Sequence, residues 1–183
     1  MSSSAHDARF SFADYVAFER TSNVKHEFLQ GQIYAMAGGT PEHAALSAAV
    51  SGLLFGQLRD GNCRIFSSDL RIRAGELVTY PDVTIVCGPP LPDPDDSNTI
   101  TNPTAIIEAT SPSTEQYDRG KKLATYQSIE SLRILLLVAH DKPQVDCFLR
   151  AEDGWRHDVY TEGSIELAEV KASLVVSDIY RAG

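Results

Sequence analysis

Cysteine is scarce. The chain has 183 residues and three cysteines, Cys63, Cys87 and Cys147, widely separated and odd in number. A small disulfide scaffold is therefore excluded, and no CxxC or Cys/His spacing offers a zinc site. A reducing cytoplasm is the expected setting. Long apolar runs are also missing, which excludes a transmembrane helix of about 20 residues. The opening Met1-Ser2-Ser3-Ser4-Ala5-His6-Asp7 lacks the basic-then-apolar pattern of a signal peptide. Basic residues are in the minority, 16 against 25 acidic, for a formal net charge of −9. A globally basic nucleic-acid coat is excluded, although a local basic groove is not. Charged residues are only 22 % and hydrophobic residues 43 %, which excludes wholesale disorder and supplies a core. The length suits one domain, expected over 11–183 behind a frayed leader over 1–10.

What is present reads as a mixed α/β or α+β chain. Ser11 can cap a helix over 12–19, with Phe12, Tyr15, Val16 and Phe18 on its apolar side. His26 to Leu29 and Gln32 to Met36 flank Gln30-Gly31, a tight-turn signal for a hairpin. After Gly38-Gly39-Thr40-Pro41, a helix is expected over 42–58, where Leu46, Val50, Leu53, Leu54 and Leu58 recur at helical spacing. One strand is expected over 63–73 and a second over 83–87, the latter apolar enough for burial on both faces. The Pro- and Asp-rich stretch 88–103 reads as a loop, with Asp93-Pro94-Asp95-Asp96 a solvated acidic segment that lacks the glycine and distal Glu of an EF-hand. A strand over 104–109, a helix over 113–128 and an apolar strand over 132–138 follow. Further short strands are expected over 145–149, 155–160 and 165–167. The order implies a mixed central sheet with flanking helices.

Two carboxylates stand out. Asp82 follows Pro81 just before one apolar strand, and Glu108 lies inside the next, in Ile106-Ile107-Glu108-Ala109. An acid in a buried strand is costly without a partner or a metal. If the strands are neighbours, both side chains converge at one sheet end, and two carboxylates suit Mg²⁺, which keeps several waters and takes substrate phosphate oxygens. Taken alone, Asp82 reads first as a turn residue, and Glu108 reads either as functional or as an edge-strand acid facing solvent. Asp118, Lys122 and Tyr126 follow at i, i+4 and i+8 and share one helix face. That face reads either as a solvated Asp–Lys pair or as a lysine within reach of the carboxylates, able to orient a water or neutralise charge on phosphate. Gly120-Lys121-Lys122 is not a P-loop, and no GxSxG elbow or HExxH is present. Arg64, Arg71 and Arg73 make either a phosphate-facing strip or a solvated strand face. His26, His140 and His157 read as structural or solvated, and Trp155 as packing.

Together these elements resemble the core of the Uma-type (Uma-two) restriction endonucleases, within the PD-(D/E)xK nuclease superfamily. The motifs are Pro81-Asp82; Ile107-Glu108-Ala109-Thr110-Ser111-Pro112-Ser113-Thr114; and Asp118, Lys122 and Tyr126. Lys25-His26-Glu27-Phe28-Leu29-Gln30-Gly31-Gln32-Ile33-Tyr34 resembles the family's hairpin, and His43 its histidine at the head of the second helix. The likeness covers roughly 11–150. It implies a restriction-endonuclease-like fold, with a mixed sheet of about four strands between helices. It makes Asp82 and Glu108 metal ligands, with the Ala109 carbonyl as a third oxygen. The superfamily's usual lysine two residues after the Glu is replaced by Thr110, and Lys122 on the following helix matches the family's alternative. Lys121 points about 100° away on the helix. Glu27 would bind a second metal or position water. His43, Ser111, Asp118 and Tyr126 would support the site, Ser111 either on Glu108 or as a helix cap.

The expected function is Mg²⁺- or Mn²⁺-dependent hydrolysis of DNA phosphodiesters, leaving a 5′-phosphate, by a protein without membrane association. A homodimer would suit cutting of both strands. The alternative is a non-catalytic nuclease-like module that binds nucleic acid or serves in assembly. A third reading, a small-molecule enzyme or interaction domain on an unrelated sheet, would need a large apolar pocket away from Glu108.

Overall fold

In the computed structural model the described residues are 9–36, 38–110, 120 and 122–181. The expected leader and the expected positions of Ser111 and Asp118 therefore lie outside the described residues, apart from 9 and 10, where the Phe10 N–H donates to the Gly31 carbonyl at 2.9 Å.

Helix α1, Phe12–Thr21, starts at a capping box. The Ser11 hydroxyl accepts from the Asp14 N–H while the Asp14 carboxylate accepts from the Ser11 N–H, satisfying two otherwise orphan donors. Strands β1 (His26–Leu29) and β2 (Gln32–Ala35) form the hairpin. Both turn residues are left-handed, Gln30 at φ 51° and Gly31 at φ 85°, as a two-residue turn of right-twisted strands requires. Helix α2, Pro41–Leu58, carries Thr40 as its N-cap and proline at its first position, where the missing N–H costs nothing.

The expected strand over 63–73 is two strands, β3 (Cys63–Ser67) and β4 (Arg71–Ala74). They are parted by a turn closed by the Leu70 N–H on the Ser67 carbonyl, and they enter different sheets. β5 (Leu77–Thr79) and β6 (Val83–Cys87) follow. The expected loop over 88–103 also contains a hairpin, β7 (Pro92–Asp93) and β8 (Asp96–Ile100). Beyond it come β9 (Ala105–Ala109), a short helix α3 (Leu123–Gln127), β10 (Ile134–Val138), β11 (Val145–Ala151), β12 (Gly154–Tyr160), β13 (Ser164–Leu167), β14 (Ala172–Val175) and α4 (Val176–Tyr180). The last two were not expected.

The strands build two six-stranded mixed sheets, β2-β1-β5-β4-β8-β7 and β12-β11-β10-β9-β6-β3, plus the β13–β14 ribbon. The fold is thus the expected mixed sheet flanked by helices, with six strands in the central sheet rather than about four and a second sheet beside it. In the central sheet β9 and β10 are parallel and the other neighbours antiparallel. Three apolar clusters set the layering. Tyr15, Val16, Phe28 and Val78 join α1 to the outer face of the first sheet. Ile72 and Leu77 of that sheet meet Tyr126 of α3 and Ile106 and Leu135 of the central sheet. The opposite face of the central sheet packs on Leu46, Val50 and Leu54 of α2 and on the C-terminal ribbon and helix. Residues 106 and 108 face the first sheet, and 105, 107 and 109 face α2, by strand alternation.

Two readings from the sequence are corrected here. Arg71 and Arg73 are neither a phosphate strip nor a solvated face, and Asp93 and Asp96 are not a solvated loop. Arg71 is buried and its Nη2 lies 2.9 Å from Asp96 Oδ2, while Arg73 Nη1 lies 3.0 Å from Asp93 Oδ2. The β7–β8 hairpin supplies the acids that allow Arg71 to be buried and Arg73 to be half-buried, since a buried charge requires a partner. The cysteines also differ from expectation: Cys63 and Cys87 are register partners in β3 and β6 and form a disulfide, which leaves Cys147 free and buried.

Candidate active site

The seam between the two sheets gathers residues from five separate stretches of chain. Glu108 is held on β9, facing the first sheet, and is buried. Its Oε1 accepts from the Tyr126 hydroxyl at 2.6 Å and lies 2.9 Å from Lys122 Nζ. Its Oε2 is turned toward Asp82, whose backbone N–H is 3.4 Å away. Lys122 and Tyr126 are one helical turn apart, so both reach the same carboxylate oxygen. Lys122 is itself only 6 % exposed. Its Nζ also lies 3.2 Å from Glu27 Oε1 on β1. The same Glu27 oxygen accepts from the Thr79 hydroxyl on the neighbouring strand β5.

Asp82 sits immediately before β6, which pairs antiparallel with β9. Its Oδ2 accepts from the Ala109 N–H at 2.8 Å, which fixes the carboxylate beside the end of the Glu108 strand. His43 Nε2, from the first turn of α2, lies 3.0 Å from the same oxygen. The helix is brought close by Gly39: a Cβ there would stand 2.5 Å from His43 Nδ1, so a side chain at 39 would push the imidazole out of place.

Electrostatics follow from this burial. The Tyr126 phenol is pushed well above the ordinary tyrosine range, first by burial and then by the Glu108 charge. It is therefore a permanent donor at neutral pH. Three carboxylates, Glu27, Asp82 and Glu108, meet one ammonium and one imidazole. Among the described residues no three His, Cys, Asp or Glu side chains form a closed metal cage. The arrangement can hold a negative charge apart from water and can present an ammonium and a phenol O–H to an anionic oxygen.

Of the residues singled out in the sequence, Glu27, Asp82, Glu108, Ala109, Lys122, Tyr126 and His43 come together here. Ser111 and Asp118 lie outside the described residues. Thr110, where the superfamily's usual lysine would stand, is buried, with its Oγ1 3.3 Å from His140 Nδ1. Sequence reasoning missed Thr79 and a second layer behind the acids. There the buried Glu19 carboxylate of α1 accepts from the His26 N–H at 3.0 Å and the Tyr80 hydroxyl at 2.7 Å, with His26 Nδ1 at 2.9 Å. His26 precedes Glu27, and Tyr80 lies two residues before Asp82. Glu19 thus ties together the backbone leading to both acids. The only signal for it was an acid beside the apolar face of α1, which by itself carries no such meaning.

The chain is 36 % identical over 184 residues to the uncharacterized protein slr1290 of Synechocystis sp., covering 98 % of this chain and 96 % of that protein. It is 32 % identical to a second, sll1609, from the same organism, over 89 % of this chain and 92 % of the relative. Its fold superposes with a TM-score of 0.75 on the crystal structure of a putative nuclease belonging to DUF820 from Anabaena variabilis, at 17 % identity, covering 93 % of this chain and 97 % of that one. The profile of the Uma2 family, described as "Putative restriction endonuclease", matches residues 12–175. With most of its length matched by that profile, the chain belongs to the Uma2 family.

Proposed function

We propose that the protein is a divalent-metal-dependent nuclease that hydrolyses phosphodiester bonds in DNA. The observation that carries this reading is the convergence of Asp82, Glu108, Glu27 and Lys122 at the seam between the two sheets, with one buried ammonium between Glu27 and Glu108 and with Asp82 at the Glu108 carboxylate through its backbone N–H.

The donor set fits a hard cation. Glu108 Oε2 is turned to the backbone N–H of Asp82, and the Asp82 carboxylate holds the Ala109 N–H, so both acids stand at the same end of the paired strands β6 and β9. Two carboxylates with room for water and substrate oxygens are what Mg²⁺ or Mn²⁺ takes. The metal, when bound, would polarise the phosphate and lower the pKa of the attacking water. Asp82, Glu108 and the Ala109 carbonyl would hold it.

The rest of the chemistry falls to the chain's own side chains. Lys122 supplies positive charge where the phosphate gains negative charge. Tyr126, locked as a donor, fixes the Glu108 carboxylate through Oε1 and leaves Oε2 directed at Asp82. His43 holds Asp82 from the α2 side. Glu27 keeps Lys122 in place and is the acid nearest to it from the first sheet. The acidic total charge is compatible with substrate binding in a narrow cleft rather than over a broad surface.

The test is cleavage of plasmid and linear DNA in Mg²⁺ and Mn²⁺ by the wild type, Glu108→Gln and Asp82→Asn. Metal-dependent nicking by the wild type alone supports the reading. Folded wild-type protein that leaves DNA intact at all metal concentrations contradicts it and favours the non-catalytic module.

A further inference from the structure

The cross-strand register places Tyr34 directly opposite Glu27 in the β1–β2 hairpin. Opposed residues of an antiparallel pair project from the same face, with Cβ atoms about 4.5–5.5 Å apart. Tyr34 therefore stands on the face that carries the acid held by Lys122. It is 52 % exposed. The other face of the hairpin is filled, with Phe28 buried and Ile33 packed beside it against α1. β2 is also the edge strand of its sheet, so among the described residues no further strand lies beyond it. An aromatic side chain thus stands exposed on the hairpin face whose acid, Glu27, meets Lys122 beside Glu108.

The charge balance narrows what such a ring would bind. With 16 basic against 25 acidic residues, and with Arg71 and Arg73 engaged by Asp96 and Asp93, the net charge of −9 opposes binding that relies on neutralising a long run of phosphates. Stacking on an aromatic face is independent of charge, but it requires a base free of its own duplex stack. Tyrosine suits the role, since its rigid ring offers large contact area at low entropic cost.

We propose that Tyr34 is a stacking platform for an unpaired nucleobase beside the scissile phosphate, and that the preferred substrate is single-stranded or locally opened nucleic acid. This rests on the nuclease reading above. Binding through Tyr34 would set which nucleotide lies over Glu27, Lys122 and Glu108, and so which phosphate is presented to them.

The experiment is fluorescence anisotropy with a labelled single-stranded oligonucleotide and with the blunt duplex of the same sequence. Ca²⁺ serves as the oxygen-seeking cation, and the proteins compared are the wild type, Tyr34→Ala and Tyr34→Phe. Tyr34 is exposed at an edge, so both variants should unfold at the wild-type temperature. Loss of one stacked base should weaken Tyr34→Ala binding to the single strand about tenfold or more. Tyr34→Phe, which keeps the ring, should stay within about twofold of wild type, since stacking uses the ring face. Duplex binding should be weaker than single-strand binding and nearly indifferent to both changes. A wild type that binds the single strand while Tyr34→Ala binds equally well overturns this inference alone. Equal losses on single strand and duplex overturn the unpaired-base preference. A wild type that binds neither oligonucleotide overturns the nuclease reading and this inference with it.

Discussion

The ammonium of Lys122 lies 3.2 Å from Glu27 and 2.9 Å from Glu108, and these two acids belong to different sheets. One lysine from α3's leading edge thus joins the first sheet to the central one at the place where the chemistry is expected. Its own burial makes the arrangement demanding: removing one partner of a buried ion pair strands the other.

Lys122→Met should therefore act twice. Stability should fall by about 3–5 kcal/mol, the usual result of leaving a buried charge unpaired, as read by urea unfolding. Cleavage should fall by about 10²-fold or more at saturating metal, the scale for losing one preorganised electrostatic group. A variant that loses stability but keeps full activity at low temperature would remove Lys122 from the chemistry.

Tyr126→Phe isolates the phenol. It deletes the O–H that donates to Glu108 at 2.6 Å and leaves the packing. A hydrogen bond to a charged group is worth about 1.5–3 kcal/mol, and thermal unfolding should show a loss of that order. Activity should fall through kcat, because Glu108 loses the donor that fixes its orientation.

The buried phenols also set an alkaline limit. Burial, and then nearby acids, raise Tyr126 well above its ordinary value and push Tyr15 up to about 12. A group raised on folding contributes stability that is fully present below its unfolded pKa, about 10 for tyrosine. That contribution declines as pH rises from about 10 toward the folded value, because the unfolded chain loses the proton first. The thermal midpoint should fall steeply between about pH 10 and pH 12, and Tyr15→Phe should make that fall shallower.

Much of this was legible from the sequence, and for definable reasons. Short-range signals held. Gln30-Gly31 between two apolar runs marked the hairpin, and Leu46, Val50, Leu54 and Leu58 marked the buried stripe of α2. Glu108 was conspicuous because an acid flanked by Ile106, Ile107 and Ala109 has to be accounted for. Asp82, Lys122 and His43 were ordinary residues one by one and gained meaning from their order along the chain. Long-range pairings were not legible. Nothing local tells Arg71 that Asp96 will return on a parallel strand, so the arginines read as a phosphate strip or a solvated face and the acids as loop. The Cys63–Cys87 bridge depends on the β3–β6 register, and the break after Ser67 hid where β3 ended.

Glu19 offers a test of the layer that the sequence did not reveal. Its carboxylate receives the His26 N–H and the Tyr80 hydroxyl, one residue before Glu27 and two before Asp82 in the chain. Glu19→Ala should lower kcat with little change in KM, because the acids shift while the substrate surface remains. Glu19→Gln keeps an acceptor for both donors and should recover most of the rate. If both variants lose only stability, with rate unchanged, Glu19 has no positioning role.

The buried Arg71–Asp96 pair gives a stability prediction independent of activity. Arg71→Met should cost about 3–5 kcal/mol by leaving Asp96 charged and buried. Adding Asp96→Asn should recover part of that loss, since the two groups are in contact and their effects should not add. Chemical denaturation of the two single variants and the double variant reads the coupling directly.

The most direct measurement is calorimetric titration of Mn²⁺ into the wild type, Asp82→Ala and Glu108→Ala. Saturable binding to the wild type and its loss in both variants are expected, because these two acids meet from β9 and the entry to β6. Binding of equal strength to all three proteins would contradict it, since the metal would then lie away from Asp82 and Glu108.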